Sequence, residues 1–399
     1  MGYVAVRGGT RAIEASIERL TYERLKNARS INVKDISGGM RLLVDQVMSE
    51  GSLYDREVAA LAIKQAEGSP EEAVFLLRAY RSTLPRKHYS LPIESERMRV
   101  ERRISATFKD IPGGQILGAS YDYTHRILDP GLIEETTDTA ASWINRWRAA
   151  AEGAPGATEN GGTLPKVVDY LRKQGLMQYQ EQNDAEPQDV TKESLTFPST
   201  RSQRLQILTR GQTGTVTALG YASLRGYGPL LHPTVAELRV GRVAVVVPPP
   251  PAVHRAPAGG GSPAADGYPA ADDNPAADDG SAEEGYYVGE IQVTEVESVV
   301  PVTVPRGQGE SEIVFELGYG VCYGQNETKA IAMSLLDQCL ENPDQSYPTH
   351  DEEFVLLHVD SVEATGFISH LKLPHYVTFQ SELDSARTSR KGAPKESPS

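Results

Sequence analysis

Residues 248–285 set the first limit on any fold of this chain. The segment opens with four consecutive prolines, Pro248 to Pro251, and repeats Pro-Ala-Ala-Asp from Pro263, Pro269 and Pro275. Between 248 and 284 there are one basic and seven acidic residues. Low apolar content and one-sided charge cannot repay the entropy of ordering such a stretch, so it is expected to be a disordered insertion. It is bounded by strand-like sequence on both sides, Val243 to Val247 before it and the partly alternating run Tyr286 to Val300 after it. The two strands are expected to bring the ends of the insertion together, because the closure cost of a surface loop grows only logarithmically with its length.

The rest of the chain divides by character. Tyr3 to Val6 reads as a short strand, Gly8-Gly9 as a turn, and Thr10 as the cap of a following helix. Segments 38–50 and 54–67 read as helices. Ser69-Pro70-Glu71-Glu72 is a helix start, with Ser69 at the N-cap, Pro70 at N1 and Glu72 closing a capping box. The stripe Ala73, Leu76, Leu77, Tyr80, Leu84 follows it at helical spacing. The first 110 residues are thus predicted mainly helical. Residues 150–163 read as a loop, 180–200 as irregular, and strand character is expected from about 213. A helix is expected over 326–341 with Asn326 as N-cap, a strand over Phe354 to Leu357, and a frayed tail over 381–399. The predicted class is α+β: a helical region 1–149, a mixed region 164–247 and 286–380, the insertion 248–285 and the flexible tail 381–399.

Charge follows the same division. The whole chain of 399 residues carries a net charge of −14, but residues 1–110 are net +4 and residues 285–380 are net −12. The acidic balance argues against a sequence-independent nucleic-acid binder, which needs a basic face. Two cysteines, Cys322 and Cys339, exclude a disulfide framework or a cysteine-rich zinc module. No run of 18 apolar residues occurs and Met1 to Arg7 lacks the apolar core of a signal peptide, so a cytoplasmic protein without a membrane span is expected.

Three constellations carry chemistry. In Ser369-His370-Leu371-Lys372-Leu373-Pro374-His375-Tyr376, two imidazoles lie five apart and Pro374 stops any helix between them. They are either two ligands of a Zn²⁺-like ion or two unrelated hydrogen-bonding histidines. His358 and the run Asp351-Glu352-Glu353 could add ligands, or form a solvated turn. The basic run Arg99 to Ile104 leads into Lys109-Asp110-Ile111-Pro112-Gly113-Gly114-Gln115, where backbone N–H groups and guanidinium forks could meet a phosphate. A plain turn is the alternative, and no P-loop ending is present. The Gly8-Gly9 turn between Arg7 and Arg11 is a similar, weaker anion candidate. Tyr121-Asp122-Tyr123-Thr124-His125-Arg126 places a carboxylate, an imidazole and a guanidinium within five residues, either for ribosyl transfer or as a structural network. Gly226-Tyr227-Gly228 and Gly318-Tyr319-Gly320 read as bulges or bends in strands, and the two cysteines as core residues.

Together these segments resemble the PhnI family, a subunit of the bacterial carbon–phosphorus lyase core complex. The resemblance is densest in Glu101 to Ala106, Lys109 to Gln115 and Tyr121 to Arg126. It extends through Arg225-Gly226-Tyr227-Gly228, Asp351 to Leu356 and Gly366 to Tyr376, and departs at 248–285. It implies that the chain acts with PhnG, PhnH and PhnL to displace adenine from MgATP by an alkylphosphonate. The product would be α-D-ribose 1-alkylphosphonate 5-triphosphate. The resemblance further implies a purine nucleotide nucleosidase activity for the isolated chain and two copies in the core complex. A Zn²⁺ ion would be bound by His370 and His375 beside PhnJ, the radical lyase subunit.

Residue type then assigns expected roles. Breaking the C1′–N bond builds positive charge on the ribose, as in glycoside hydrolysis. Asp122 is the first candidate to stabilise it, with Glu352 or Glu353 second. His125 could protonate adenine, or bind phosphate when charged. Arg102, Arg103, Lys109 and Arg126, with the Gly113-Gly114 turn, could hold the phosphate or phosphonate anions. The alternative is a non-catalytic scaffold that binds its partners and completes the zinc site.

Overall fold

The computed structural model describes residues 9–152, 164–177, 185–227, 232–249, 285–307 and 309–392. Tyr3 to Val6, Gly8, the loop 153–163, most of the insertion and the end of the tail lie outside these residues. So does Gly228.

Five helices come first: α1 (Gly9–Leu25), α2 (Val33–Gly39), α3 (Arg41–Gly51), α4 (Arg56–Gln65) and α5 (Pro70–Ser82). Their starts follow local chemistry. Asn32 accepts from the Lys34 N–H at 2.9 Å, and Asp55 accepts from Glu57 and Val58 at 3.0 and 2.9 Å. Ser69 accepts from the Glu72 N–H at 3.4 Å, but its hydroxyl faces Glu71, so the expected capping box is made from one side. Thr10 lies inside the first turn of α1 rather than capping it. Helices α2 to α5 close on one another through Ile36, Val44, Val47, Met48, Ile63 and Leu77. Of the expected stripe, Ala73 and Leu77 are buried, Tyr80 is exposed, and Leu84 lies beyond the end of α5 at Ser82 and is exposed as well.

The helical expectation fails at Arg99–Ile104, which is strand β1. After it come α6 (Thr137–Glu152), α7 (Val168–Lys173), α8 (Arg201–Arg210) and α9 (Thr213–Leu224). The strands expected from 213 thus begin only with β2 (Thr234–Val247), followed by β3 (Tyr286–Gly307) and β4 (Glu310–Tyr323). The sheet is an antiparallel meander in the order β1-β2-β3-β4. Val247 pairs with Tyr286, so the insertion does leave and re-enter the sheet at adjacent points.

Helix α10 (Glu327–Glu341) lies across one face of the sheet. Asn326 stands at its N-cap without a capping side-chain bond. Ala330, Met333, Leu336 and Leu340 pack on Leu238, Val240, Val296 and Cys322, with Leu208 of α8 and Val216 of α9. Burial of each large apolar side chain contributes roughly 1.5–3 kcal/mol. Gly318-Tyr319-Gly320 is neither a bulge nor a bend: its residues pair in unbroken register with Ser298, Glu297 and Val296. The glycines are there because a Cβ at Gly318 or Gly320 would collide with the carbonyl oxygens of Ser334 or Ala330 on α10. Gly226, with φ +107°, follows the end of a helix rather than lying in a strand.

The chain ends in α11 (Glu352–His358), α12 (Ser361–Ser369) and α13 (Tyr376–Gly392). The expected strand Phe354 to Leu357 is therefore helical, because Asp351 accepts from the Phe354 N–H at 3.1 Å and starts the turn. The expected frayed tail is helical through Gly392. Among the described residues, no helix is long and apolar enough to cross a membrane.

The second face of the sheet carries charge. Arg103, Glu237, Arg239, Glu295 and Glu297 are all buried there, with Lys166 over them. Arg239 pairs with Glu295, and Lys166 reaches Glu295 and Glu297 at 3.1 and 3.0 Å. Burial disfavours the Glu295 charge, but Arg239 and Lys166 win and hold its carboxyl down at about 2.

Candidate functional site

The Asp122 constellation is built on β1 and the turn that follows it. Ser120 accepts from the Asp122 N–H at 3.2 Å and starts a 3₁₀ turn over Tyr121–Tyr123. The Asp122 carboxylate then meets Arg102 from β1 on one side and Arg126 at 3.4 Å on the other. Arg126 has φ +54°, a left-handed position that brings its guanidinium back to Tyr121 O at 3.2 Å. Asp122 stays half-exposed while Arg102 is buried. Arg102 also pairs with Glu327 of α10 at 3.1 Å and donates to Leu117 O. Burial works against its charge, but Tyr123, Glu327 and Asp122 outweigh that and raise its pKa. The result is one solvent-facing carboxylate whose position is fixed from behind, with exposed His125 three residues on. Such a carboxylate can face a developing cation.

The other anion candidates are placed differently. Arg103 is fully buried. It donates Nε to Glu237, one Nη to Pro112 O and the other to Pro165 O at 2.8 Å. Its fork is spent inside the fold. Arg102 is spent likewise. Gly113 and Gly114 form a plain turn with φ +82° and +72°, closed by the Gly114 N–H on Ile111 O at 2.8 Å. A Cβ at Gly113 would press on Leu164 and on the Arg103 guanidinium. Lys109 is exposed beside the turn.

Glu352 and Glu353 stand elsewhere. Glu327, beside Asp122, begins α10; Glu341 ends it and lines a cavity of about 620 Å³ with Asp344, Asp351, Glu352, Glu353 and Arg204. The intervening 15 residues of helix separate the two places by about 20 Å. Glu352 accepts from the Ser199 N–H at 3.1 Å and hydroxyl at 2.6 Å, a structural tie. Five carboxylates against one arginine make this cavity repulsive to a polyphosphate. Sequence reasoning missed the cavity and its buried His350, whose Nε2 has no hydrogen-bond partner among the described residues; only tertiary packing collects these residues.

His370 and His375 do come together. Their ring centroids are 5.4 Å apart, at the junction where α12 ends, a 3₁₀ turn covers His370–Lys372, and Pro374 precedes α13. The Nδ1 of His370 bonds Phe367 O and that of His375 bonds Leu373 O at 2.7 Å. A carbonyl only accepts, so each Nδ1 is the donor, which in the neutral ring leaves each Nε2 as the acceptor. This is the arrangement that orients metal-binding imidazoles. Among the described residues, no group of three or more His, Cys, Asp or Glu could hold a metal. His358 instead turns its Nδ1 to Phe354 O at 2.6 Å. The chain thus presents two imidazoles side by side on an exposed surface, residue types that would suit Zn²⁺ as part of a larger donor set.

Comparison with known proteins adds the identity of the scaffold. Residues 2–393 match the family described as bacterial phosphonate metabolism protein (PhnI). The chain is 41% identical over 404 residues to an alpha-D-ribose 1-methylphosphonate 5-triphosphate synthase subunit PhnI of Rhizobium meliloti (strain 1021), covering 98% of this chain and 95% of the relative. It is 41% identical over 394 residues to the protein of the same name in Escherichia coli (strain K12), covering 96% of each. With a match spanning both ends of the sheet, the Asp122 turn and the histidine pair, the chain belongs to the PhnI family of bacterial phosphonate metabolism proteins.

Proposed function

We propose that the chain is the subunit of the carbon–phosphorus lyase core complex at which an alkylphosphonate displaces adenine from MgATP, together with PhnG, PhnH and PhnL. A phosphonate oxygen bonds to C1′, the C1′–N9 bond breaks, and adenine leaves with a proton. The product is α-D-ribose 1-alkylphosphonate 5-triphosphate. Near-full-length identity to two relatives named as synthase subunits carries this reading. The geometry supports it with one clamped, solvent-facing carboxylate. Asp122 faces the cationic ribose, His125 supplies the proton to the base, and Arg126 lies at the rim. Water in place of the phosphonate makes the isolated chain a purine nucleotide nucleosidase. The direct test is release of guanine from GTP by the purified chain and by Asp122→Asn. Turnover lost with circular dichroism unchanged is expected; undiminished turnover in the variant would remove Asp122 from the mechanism.

One observation favours a second reading, a scaffold. His370 and His375, the proposed half of a metal site, lie on a surface that also exposes Phe367, Ile368, Leu371 and Leu373. Exposed apolar patches of this kind mark partner contacts, and PhnJ is the partner proposed to meet this one and share its Zn²⁺. When bound, the ion would act there as a Lewis acid or a strut. A chain that yields no guanine under any condition, yet holds zinc with PhnJ, is the scaffold.

A further inference from the structure

Of the arginines nominated by sequence, Arg102 and Arg103 are spent inside the fold, but two buried guanidiniums elsewhere are not. Arg78, Arg81 and Arg86 leave α5 and its C-terminal extension toward Arg210 at the end of α8 and the segment Asp189–Lys192. Arg78 donates to both Asp360 oxygens at 2.8 and 2.6 Å, to Glu50 O at 3.0 Å and to Arg210 O at 3.1 Å. Arg86 pairs with Asp189 and donates to Thr191 at 3.2 Å. Lys192 donates to the Tyr89 hydroxyl at 2.6 Å. Each nearby aspartate is thereby matched to one arginine.

Neither Arg81 nor Arg210 forms an ion pair among the described residues; Asp189 acts on Arg81, and Asp360 and Glu363 on Arg210, only from farther away. Arg210 places one Nη on Val190 O at 3.3 Å, leaving a buried Nε without an acceptor. Arg81 has a buried Nη1 without an acceptor. Burial and the charges of Arg78 and Arg81 depress Arg210 to about 10. Burial and the charges of Arg78 and Arg86 lower Arg81. Both guanidiniums stand in the last turn of a helix, where the dipole favours a cation. The dipole does not supply an acceptor to a buried side-chain N–H, nor relieve repulsion between like charges. An oxyanion between them does both, and guanidinium forks match its oxygens.

We propose that Arg81 and Arg210 form a binding site for a phosphate- or phosphonate-type oxyanion, framed by Arg78, Arg86 and the Asp189–Lys192 segment. That this anion is the triphosphate or the alkylphosphonate of the ribosyl-transfer reaction rests on the function proposed above; the anion site itself does not.

Calorimetric titration of the purified chain with sodium tripolyphosphate, and separately with methylphosphonate, tests it. The variants are Arg81→Gln, Arg210→Gln and Arg81→Lys, with Arg19→Gln on an exposed helix as the charge control. Loss of a charge-assisted bond should weaken binding of one of the two anions about tenfold or more in each glutamine variant. Arg81→Lys, which keeps the charge, should lose less, and Arg19→Gln nothing. The anion that responds identifies the source. A rise in the melting temperature on adding that anion should be present in the parent and absent from the glutamine variants. Unchanged affinities in both glutamine variants, or no binding of either anion by the parent, would overturn the site. Base release from GTP is read separately: a chain that releases no guanine but loses anion binding in the variants keeps the site and loses the proposed function.

Discussion

Arg103 separates a ligand from a strut. Arg103→Met removes a guanidinium that is fully buried and leaves Glu237, 2% exposed, with the Val167 N–H at 3.2 Å as its hydrogen-bond donor among the described residues and no ion-pair partner in contact, Arg239 acting on it only from farther away. The carbonyls of Pro112 and Pro165 lose their donors in the same step. Breaking one side of a buried ion pair costs about 3–5 kcal/mol, because the remaining charge stays desolvated. Against a total stability of about 5–15 kcal/mol, that is a large share. In urea unfolding followed by circular dichroism, the midpoint should fall by roughly 1 M or more, given a denaturant slope of about 1–3 kcal/mol per molar. The paired variant Arg103→Met with Glu237→Met should recover much of the loss, since no lone charge remains. A midpoint within about 0.2 M of the parent, combined with a collapse of polyphosphate binding, would refute the argument and return Arg103 to the substrate.

Gly320→Ala should destabilise the chain by about 1–3 kcal/mol through overpacking against the Ala330 carbonyl; scanning calorimetry with an unchanged melting temperature would show that α10 does not lie that close. His370→Ala together with His375→Ala should abolish bound zinc in elemental analysis while leaving circular dichroism intact, because both side chains lie outside the buried cores; stoichiometric zinc in the double variant would refute the site. Cys322 and Cys339 should resist alkylation at pH 8 until the chain is unfolded. Burial raises both thiols, Cys339 to about 11, and rapid native labelling would contradict their placement.

Some of the architecture was readable in order along the chain. Segments 38–50 and 54–67 read as helices where Arg41–Gly51 and Arg56–Gln65 are helical, and Ser69-Pro70-Glu71-Glu72 marked the start of the helix Pro70–Ser82. Val243 to Val247 and Tyr286 to Val300 read as strands and are strands. Pro374 stopped the helix between the two histidines, so their nearness could be anticipated. β1 could not be read in the same way. Arg99-Val100-Glu101-Arg102-Arg103-Ile104 looks like a solvated basic run, because charge ordinarily means surface. Arg102 and Arg103 pair with Val240 and Arg239 in unbroken register, so they point to opposite faces of the sheet. Both faces are covered there: Arg102, 3% exposed, meets Glu327 of α10, and Arg103, 0% exposed, meets Glu237. The helix at Glu352–His358 resembles a strand in sequence for a smaller reason: a short apolar run carries no period long enough to tell a strand from a helical turn.

What the sequence determined by itself is therefore what short-range chemistry decides: capped helix starts, the strands flanking the insertion, the proline that separates the histidines, and the family. What only the tertiary structure decided is which charges are available. Arg103 meets Glu237 from 134 positions away and Arg201 meets Asp337 from 136, whereas Arg81 and Arg210 form no ion pair among the described residues. A guanidinium has the same formula in both situations. Its role depends on whether a carboxylate from a distant strand or helix arrives beside it, and that is set by the register of the sheet and the packing of helices on it rather than by neighbours in sequence.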